Sequence, residues 1–351
     1  MEFLEAIKEA VKKVREYAPR EVVVVHHDDA DGICSGAIMK ACLEREGFRP
    51  RLICLEKAFP EVLERLQKSE GNLIFYVDIG TAHADKISRY NQGRNLTIIL
   101  DHHDPVPSED PLVLNVNPEF YGMEGESDAS GATVTYLFAR EMDEANKDLA
   151  HLAVVGSYEI PGPPRSLNEL ALKDAIEAGK ARKSGKQIIV SMKGMEEERG
   201  KISSLLTLLG SVGYYVGGPE KAVNACLEGF DESVLKLSQE LKERRNKARK
   251  RGLAFLFRGG MKKLRYTQWF NVGNMLKGMG TKVIGTICSS IANYRKLVDP
   301  DKYLVGIMAM LPEIPGFGAL SEQLSKASIR VPQALRKDCL LYTSPSPRDR
   351  G

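Results

Sequence analysis

Residues Val22–Gly36 read VVVVHHDDADGICSG. Four consecutive β-branched residues form the pattern of a buried strand. They run straight into His26, His27, Asp28, Asp29 and Asp31, and then into a small-residue segment that reads as a helix start. An ordinary loop has no need for so many titratable side chains at the end of a strand.

Working outward, the first hundred residues alternate between strand and helix patterns. GAIMKACLERE reads as a helix ended by Gly47, RLICL as a strand, and FPEVLERLQKSEG as a helix. NLIFYVD follows as a strand, HADKISRYNQG as a helix and NLTIILD as a strand. Short β-branched runs separated by helices predict βαβ units with right-handed connections and a parallel sheet, an α/β fold. Two more strand ends carry polar clusters: LIFYV ends at Asp78, and TIIL at Asp101-His102-His103-Asp104. Ligands of open parallel sheets bind outside the carboxyl ends of the strands, so the three clusters are expected to converge.

Each aspartate alone would serve as a helix cap. Three clusters with histidine interleaved point instead to a ligand. Converging carboxylates repel unless cations neutralise them. Mixed carboxylate and imidazole donors suit Mn2+, Zn2+ or Fe2+. His27, Asp29, Asp31, Asp78, Asp101, His102 and His103 are enough for two cations about 3.5–4 Å apart, a common device of phosphoryl chemistry.

The 351 residues suggest about two domains. A net charge of +3 does not by itself imply a nucleic-acid partner. The six cysteines form no CxxC pair and read as reduced thiols of a cytoplasmic protein. No apolar run approaches the roughly 18 residues of a membrane span. The N-terminal stretch has helical periodicity and acids among its bases, unlike a signal peptide.

Further along, residues 129–142 and 146–158 read as helices, and 161–228 as irregular and partly helical. Residues 230–252 read as one long helix closed by Gly252, while GLAFLF and YLVGIMAML read as strands and KVIGTICSSIANY as a helix. Within the long helix, KERRNKARKR (242–251) holds seven bases and one acid. It reads as a solvated interdomain helix, or alternatively as a nucleic-acid contact. Tyr266, Trp269 and Phe270 read as core or as base-stacking residues.

HHDDADG (26–32) and LDHHD (100–104), with an aspartate ending the strand between them, resemble the DHH phosphoesterase family. That family includes RecJ-type exonucleases, nano-RNA hydrolases, dinucleotide phosphodiesterases and manganese-dependent pyrophosphatases. His27-x-Asp29-x-Asp31-Gly32 resembles the first motif of the archaeal RecJ-like branch, and its spacing speaks against the pyrophosphatases. NVNPEF (115–120) and SGAT (130–133) resemble further landmarks, so the likeness covers residues 20–160.

The resemblance implies that His27, Asp29 and Asp78 hold one Mn2+ ion, and that Asp31, Asp78 and His102 hold a second, with Mg2+ as the alternative metal. It implies that His103 binds the scissile phosphate, that Asp101 orients the histidines, and that a metal-activated water is the nucleophile. One departure stands at VVGSYEIPG (154–162). Ile160 occupies the place of a usual aspartate, and Glu159 reads either as a shifted ligand or as an exposed residue.

MLKGMGTKVIGTICSSIA (275–292) and KASIRV (326–331) resemble the DHH-associated domain. In that resemblance Lys326, Ser328 and Arg330 bind substrate, the arginine fork taking phosphate. GMGTK reads as a helix-packing turn more than as a phosphate loop. The implied organisation is a DHH catalytic domain over 1–228, a linker helix over 229–252 and a smaller, incomplete α/β domain over 253–337. Residues 338–351, with their Ser-Pro pairs, resemble adaptor sequence and are set aside.

The implied activity is exonucleolytic hydrolysis of single-stranded DNA, RNA or short oligonucleotides, with replication or repair proteins as partners. The rival readings are a dinucleotide or small-molecule phosphodiesterase, and a metal-depleted scaffold in a replication or repair assembly.

Overall fold

The computed structural model describes residues 2–332, so the tail expected at 338–351 and the end of the region expected to reach 337 lie outside the described residues. At its centre is a five-stranded parallel sheet: β1 Val22–His27, β2 Arg51–Leu55, β3 Leu73–Val77, β4 Leu96–Leu100 and β5 Val113–Val116. Its order is β2-β1-β3-β4-β5, with every pair parallel.

Alternation along the strands decides which layer each residue joins. Val22 and Val24 pack in one core with α1 (Glu2–Glu16) and α2 (Ala30–Arg45), while Val23 and Val25 pack in another with α3 (Pro60–Gln67) and α4 (Ala84–Asn91). Both faces of the sheet are therefore covered, which explains why its strands are apolar throughout. Strand β1 lies between β2 and β3, so the chain winds in opposite directions from it. The carboxyl ends of β1 and β3 flank this reversal, the place where open α/β sheets bind ligands.

Beyond β5 come a short turn of helix α5 (Gly125–Asp128), then α6 (Gly131–Met142), α7 (Ala150–Gly156) and α8 (Ser166–Glu177). The region 161–228 is more regular than its sequence suggests. It holds α8, an antiparallel sheet of β6 (Ala181–Ser184), β7 (Gln187–Met192) and β8 (Met195–Glu198), and helices α9 (Arg199–Thr207) and α10 (Gly218–Glu228). The strands are masked because their exposed positions are polar and charged, among them Arg182, Lys183, Gln187 and Glu196, but Gly185 and Gly194, with φ of +60° and +80°, mark the two hairpin turns.

Helix α11 (Glu232–Phe255) starts at Asp231, whose side chain accepts from Val234 N at 2.9 Å. It does not stop at Gly252, and GLAFLF is not a strand: the helix runs on to Phe255. Gly252 is buried in the helix interior facing Ile287, with room for a Cβ, and is not a cap. A second sheet, ordered β14-β11-β10-β9, follows. It is built from β9 (Lys262–Lys263), β10 (Thr267–Asn271), β11 (Tyr303–Ala309) and β14 (Ser325–Arg330), with α12 (Lys282–Ile291) against it. The small hairpin β12 (Glu313–Ile314) and β13 (Gly318–Ala319) lies between.

The apolar core is continuous across these parts. Leu209, Leu241, Leu256, Ile284 and Met308 belong to the same cluster as Ile33 and Val24. No helix among the described residues is long and apolar enough to cross a membrane.

Candidate metal centre

The first cluster forms where β1 hands over to α2. Asp29 caps the helix, its Oδ1 accepting from Gly32 N at 3.1 Å. Gly32 has to be glycine, since a Cβ there would lie 2.5 Å from His27 Cβ. The turn leaves His27 Nδ1 3.0 Å from Asp29 Oδ2 and 3.7 Å from Asp78 Oδ2.

Asp78 follows β3 with φ of +59°, a region that few residues other than Gly, Asn and Asp adopt. Its N–H donates to Leu100 O at 2.9 Å, which locks the turn onto β4. Asp78 Oδ1 then stands 3.5 Å from His102 Nε2. His102 Nδ1 lies 2.9 Å from the Gly125 carbonyl, which fixes the tautomer with Nδ1 protonated. Nε2 faces Asp78 and Asp31, the latter 3.6 Å away, where it would offer its lone pair to a cation.

Asp101 is enclosed by donors: Thr81 N at 3.0 Å, His102 N at 2.8 Å, His103 N at 3.4 Å and His103 Nδ1 at 2.7 Å. Asp31 sits under the start of α6, accepting from Gly131 N at 3.0 Å and Ala132 N at 2.8 Å. This gives the SGAT stretch a physical role. NVNPEF has one too: Asn117 donates to His103 O at 2.8 Å and holds the histidine turn.

Seven of the expected site residues therefore meet in one buried cluster: His27, Asp29, Asp31, Asp78, Asp101, His102 and His103. Four others do not join it. Glu159 is exposed beyond the end of α7. Lys326, Ser328 and Arg330 share the half-buried face of β14. Arg330 donates to Gly285 O at 2.8 Å, Ser289 Oγ at 2.9 Å and Ser328 Oγ at 3.1 Å, so it fastens β14 to α12. Lys326 lines a cavity of about 400 Å3 that Asp101 also lines. His26 points away from the cluster and packs on Gly36, where burial pushes its pKa down to about 4.

Sequence reading missed Lys282 and Glu56. Lys282 Nζ lies 2.6 Å from Asp29 Oδ2 and 3.0 Å from Asp28 Oδ1, although α12 is 253 residues distant in sequence. The next residue upstream, Thr281, donates its N–H to Glu56 Oε1. Burial, and then Asp28, push Glu56 up to about 8. The local signal was the GMGTK turn, which carries both contacts.

The charges in the centre are not self-compensating. Burial first, then Asp31 and Asp29, hold the Asp78 carboxyl well above its usual range. Burial works the same way on Asp29, but His27 and Lys282 overcome it and pull that carboxyl well below. His103 does the same for Asp101. Asp78 Oδ1 is buried with no hydrogen-bond partner, and His27 Nδ1 meets Asp29 Oδ2 at 3.0 Å without hydrogen-bond geometry. Two groups of donor atoms lie within 4.8 Å of one another, His27–Asp29–Asp78 and Asp78–Asp101–His102–His103, and they share Asp78. Orphaned buried donors, a carboxylate that resists ionisation and a carboxylate–imidazole set fit divalent cations such as Mn2+.

Residues 21–157 match the DHH family, N-terminal domain. An uncharacterized protein of Methanocaldococcus jannaschii is 33% identical over 165 residues, which cover 44% of this chain and 37% of that protein. The chain thus spans well under half the length of that curated relative.

Among solved structures, exonuclease RecJ bound to manganese superposes with a TM-score of 0.60 at 19% identity, covering 86% of this chain and 80% of that one. A DHH domain from a member of the s1p family of ribosomal proteins gives 0.57 at 18%, covering 96% and 81%. CDC45 from Entamoeba histolytica gives 0.55 at 11%, covering 88% and 84%. These likenesses show the fold.

Proposed function

We propose that the DHH domain hydrolyses phosphodiester bonds of single-stranded DNA, RNA or short oligonucleotides, working from a strand end with two Mn2+ ions. The observation that carries this reading is the sharing of Asp78 between two donor groups, with Asp31 added to the second by its 3.6 Å approach to His102 Nε2. His27, Asp29 and Asp78 would hold one cation; Asp31, Asp78 and His102 would hold the other, with Mg2+ as the alternative. Such a pair supplies neutralisation of phosphate oxygens and acidification of a water.

The chain's own residues do the rest. Gly131 and Ala132 fix the Asp31 carboxylate through two N–H donors. Gly125 sets the His102 tautomer. Asp101 orients His103 through Nδ1, and the imidazole would donate to a phosphate oxygen. Lys326 reaches the cavity beside Asp101 and would take a second phosphate oxygen. Ser328 and Arg330 place that strand. Glu159, exposed, stays outside the ligand set.

The five described cysteines are buried and unpaired, in keeping with a cytoplasmic setting. The likeness to CDC45 favours a second reading, a scaffold within a replication assembly.

End-labelled single strands of DNA and RNA, incubated with Mn2+, Mg2+ or EDTA, separate the readings. A ladder of shortened products with Mn2+ and none with EDTA is expected. Intact strands under every condition, from folded protein that takes up no Mn2+, would support the metal-depleted scaffold.

A further inference from the structure

A cavity of about 280 Å3 opens between α9, the turn 208–212 after it, and α12. Lys282 lines it and also holds Asp29, so the cavity abuts the candidate metal centre. Thr207, Ser211 and Thr286 add hydroxyls to its walls. Thr207 Oγ1 accepts from Ala30 N at 3.0 Å and keeps its own hydrogen to donate. From α11, Arg245 enters the cavity, the one base of 242–251 to line it. It is half-buried and has no ion-pair partner among the described residues. A partly desolvated guanidinium without a partner is costly, and its planar fork matches a phosphate.

Tyr158 lines the same cavity and is 44% exposed. Its ring rests on Gly200, where a Cβ would come within 2.3 Å of Cζ, and Arg199 lies 5.6 Å from its centroid. The ring is thus a held platform with an open surface. Glu159 shares the lining, its charge set against Lys282. A cavity with two bases, several hydroxyls and one held aromatic fits a nucleotide better than it fits a peptide: phosphate, sugar and base each have a partner.

We propose that this cavity is a nucleotide subsite next to the metal centre. Arg245 and Lys282 take the phosphate adjoining the scissile bond, and the base of that nucleotide stacks on Tyr158. The proposal rests on the phosphodiesterase reading and names where its substrate lies. Cations on His27 and Asp29 would take over the charge of Asp29 and free one hydrogen of the Lys282 ammonium, still held by Asp28 at 3.0 Å, for that phosphate.

The test measures binding by fluorescence anisotropy of an end-labelled, phosphorothioate-linked pentanucleotide with Mn2+, its integrity checked after each titration. Wild-type hydrolysis of bis(p-nitrophenyl) phosphate is measured alongside. Base stacking is worth about 1–3 kcal/mol, so Tyr158→Ala should weaken binding about tenfold, while Tyr158→Phe retains it. Arg245→Ala should weaken binding and reduce the salt slope by about 1. Arg249→Ala, the same charge loss on the exposed side of α11, should leave affinity within about twofold. Melting curves confirm that each variant is folded.

Equal binding by wild type, Tyr158→Ala and Arg245→Ala would overturn the subsite. So would an Arg249→Ala loss as large as that of Arg245→Ala, which would mean a diffuse field and no site. If wild type cleaves the small ester while the variants bind normally, the subsite alone falls. If the variants lose binding while wild type cleaves no ester, the subsite stands and the hydrolytic reading falls.

Discussion

In the Asp78→Asn variant, Mn2+-dependent phosphodiester hydrolysis should fall by more than about a hundredfold, and the metal-free protein should melt higher than wild type. Partners that merely orient a metal ligand are worth about 10–100-fold, and Asp78 belongs to both donor groups. Asparagine is the right replacement because position 78 has φ of +59°, which Asn tolerates and Ala does not.

The stability gain follows from the charge balance. Burial and the neighbouring Asp31 and Asp29 raise the Asp78 pKa above its unfolded value, so ionising this group opposes folding. That penalty is present above the ordinary carboxylate range of about 4 and vanishes below it. The gain from Asp78→Asn should therefore be seen at pH 7 and be lost near pH 3. Melting curves at both pH values, beside steady-state rates, check the two halves. Wild-type rates with Mn2+ would remove Asp78 from the mechanism.

Gly131→Ala is the second large effect. A Cβ at Gly131 would lie 2.4 Å from Asp78 Oδ1, 2.5 Å from Asp78 Cβ and 2.8 Å from Asp78 Cα. The last of these is backbone and cannot swing aside. The start of α6 must retreat, and with it the N–H groups that hold Asp31. Overpacking of this kind costs about 1–3 kcal/mol. Mn2+ affinity should drop more than about tenfold, since the fixed partners of both Asp31 and Asp78 shift together. Denaturant unfolding and titration calorimetry read the two losses. Gly252→Ala is the matched control: its Cβ would meet only Ile287 Cδ1 at 3.6 Å, so stability should hold or rise by up to about 1 kcal/mol. Unchanged metal affinity in Gly131→Ala would mean that α6 does not brace the centre.

The parallel sheet was legible because its first four strands are short, largely apolar runs separated by helices, and three of them, β1, β3 and β4, end in polar clusters. The same feature placed His27, Asp78 and His102 on one edge before any geometry was known. β5 was harder to read, since VLNV is short and half-buried on one side. The strands β6, β7 and β8 carry Lys, Arg and Glu on exposed positions, which masks their period. GLAFLF reads as a strand by composition, but α11 continues through it because its apolar residues pack into the core beside α12. Here tertiary burial outweighed local propensity. Lys282 and Arg245 were illegible for another reason. Each lies in a stretch that stands out, the GMGTK turn and the basic run 242–251, but which member faces the centre depends on how α11 and α12 pack against the turn 208–212. The Lys326, Ser328 and Arg330 pattern was legible as a strand face, but the partners of Arg330 on α12 depend on a packing contact that no spacing encodes.

The central claim is that one buried carboxylate serves two divalent cations. Anomalous scattering at the manganese edge, from crystals of the protein equilibrated with Mn2+, tests it most directly. The account predicts two peaks about 3.5–4 Å apart, one beside His27 and Asp29, the other beside Asp31 and His102, each touching Asp78. No peak within reach of Asp78 in fully equilibrated crystals, or a single peak held without it, would contradict the account.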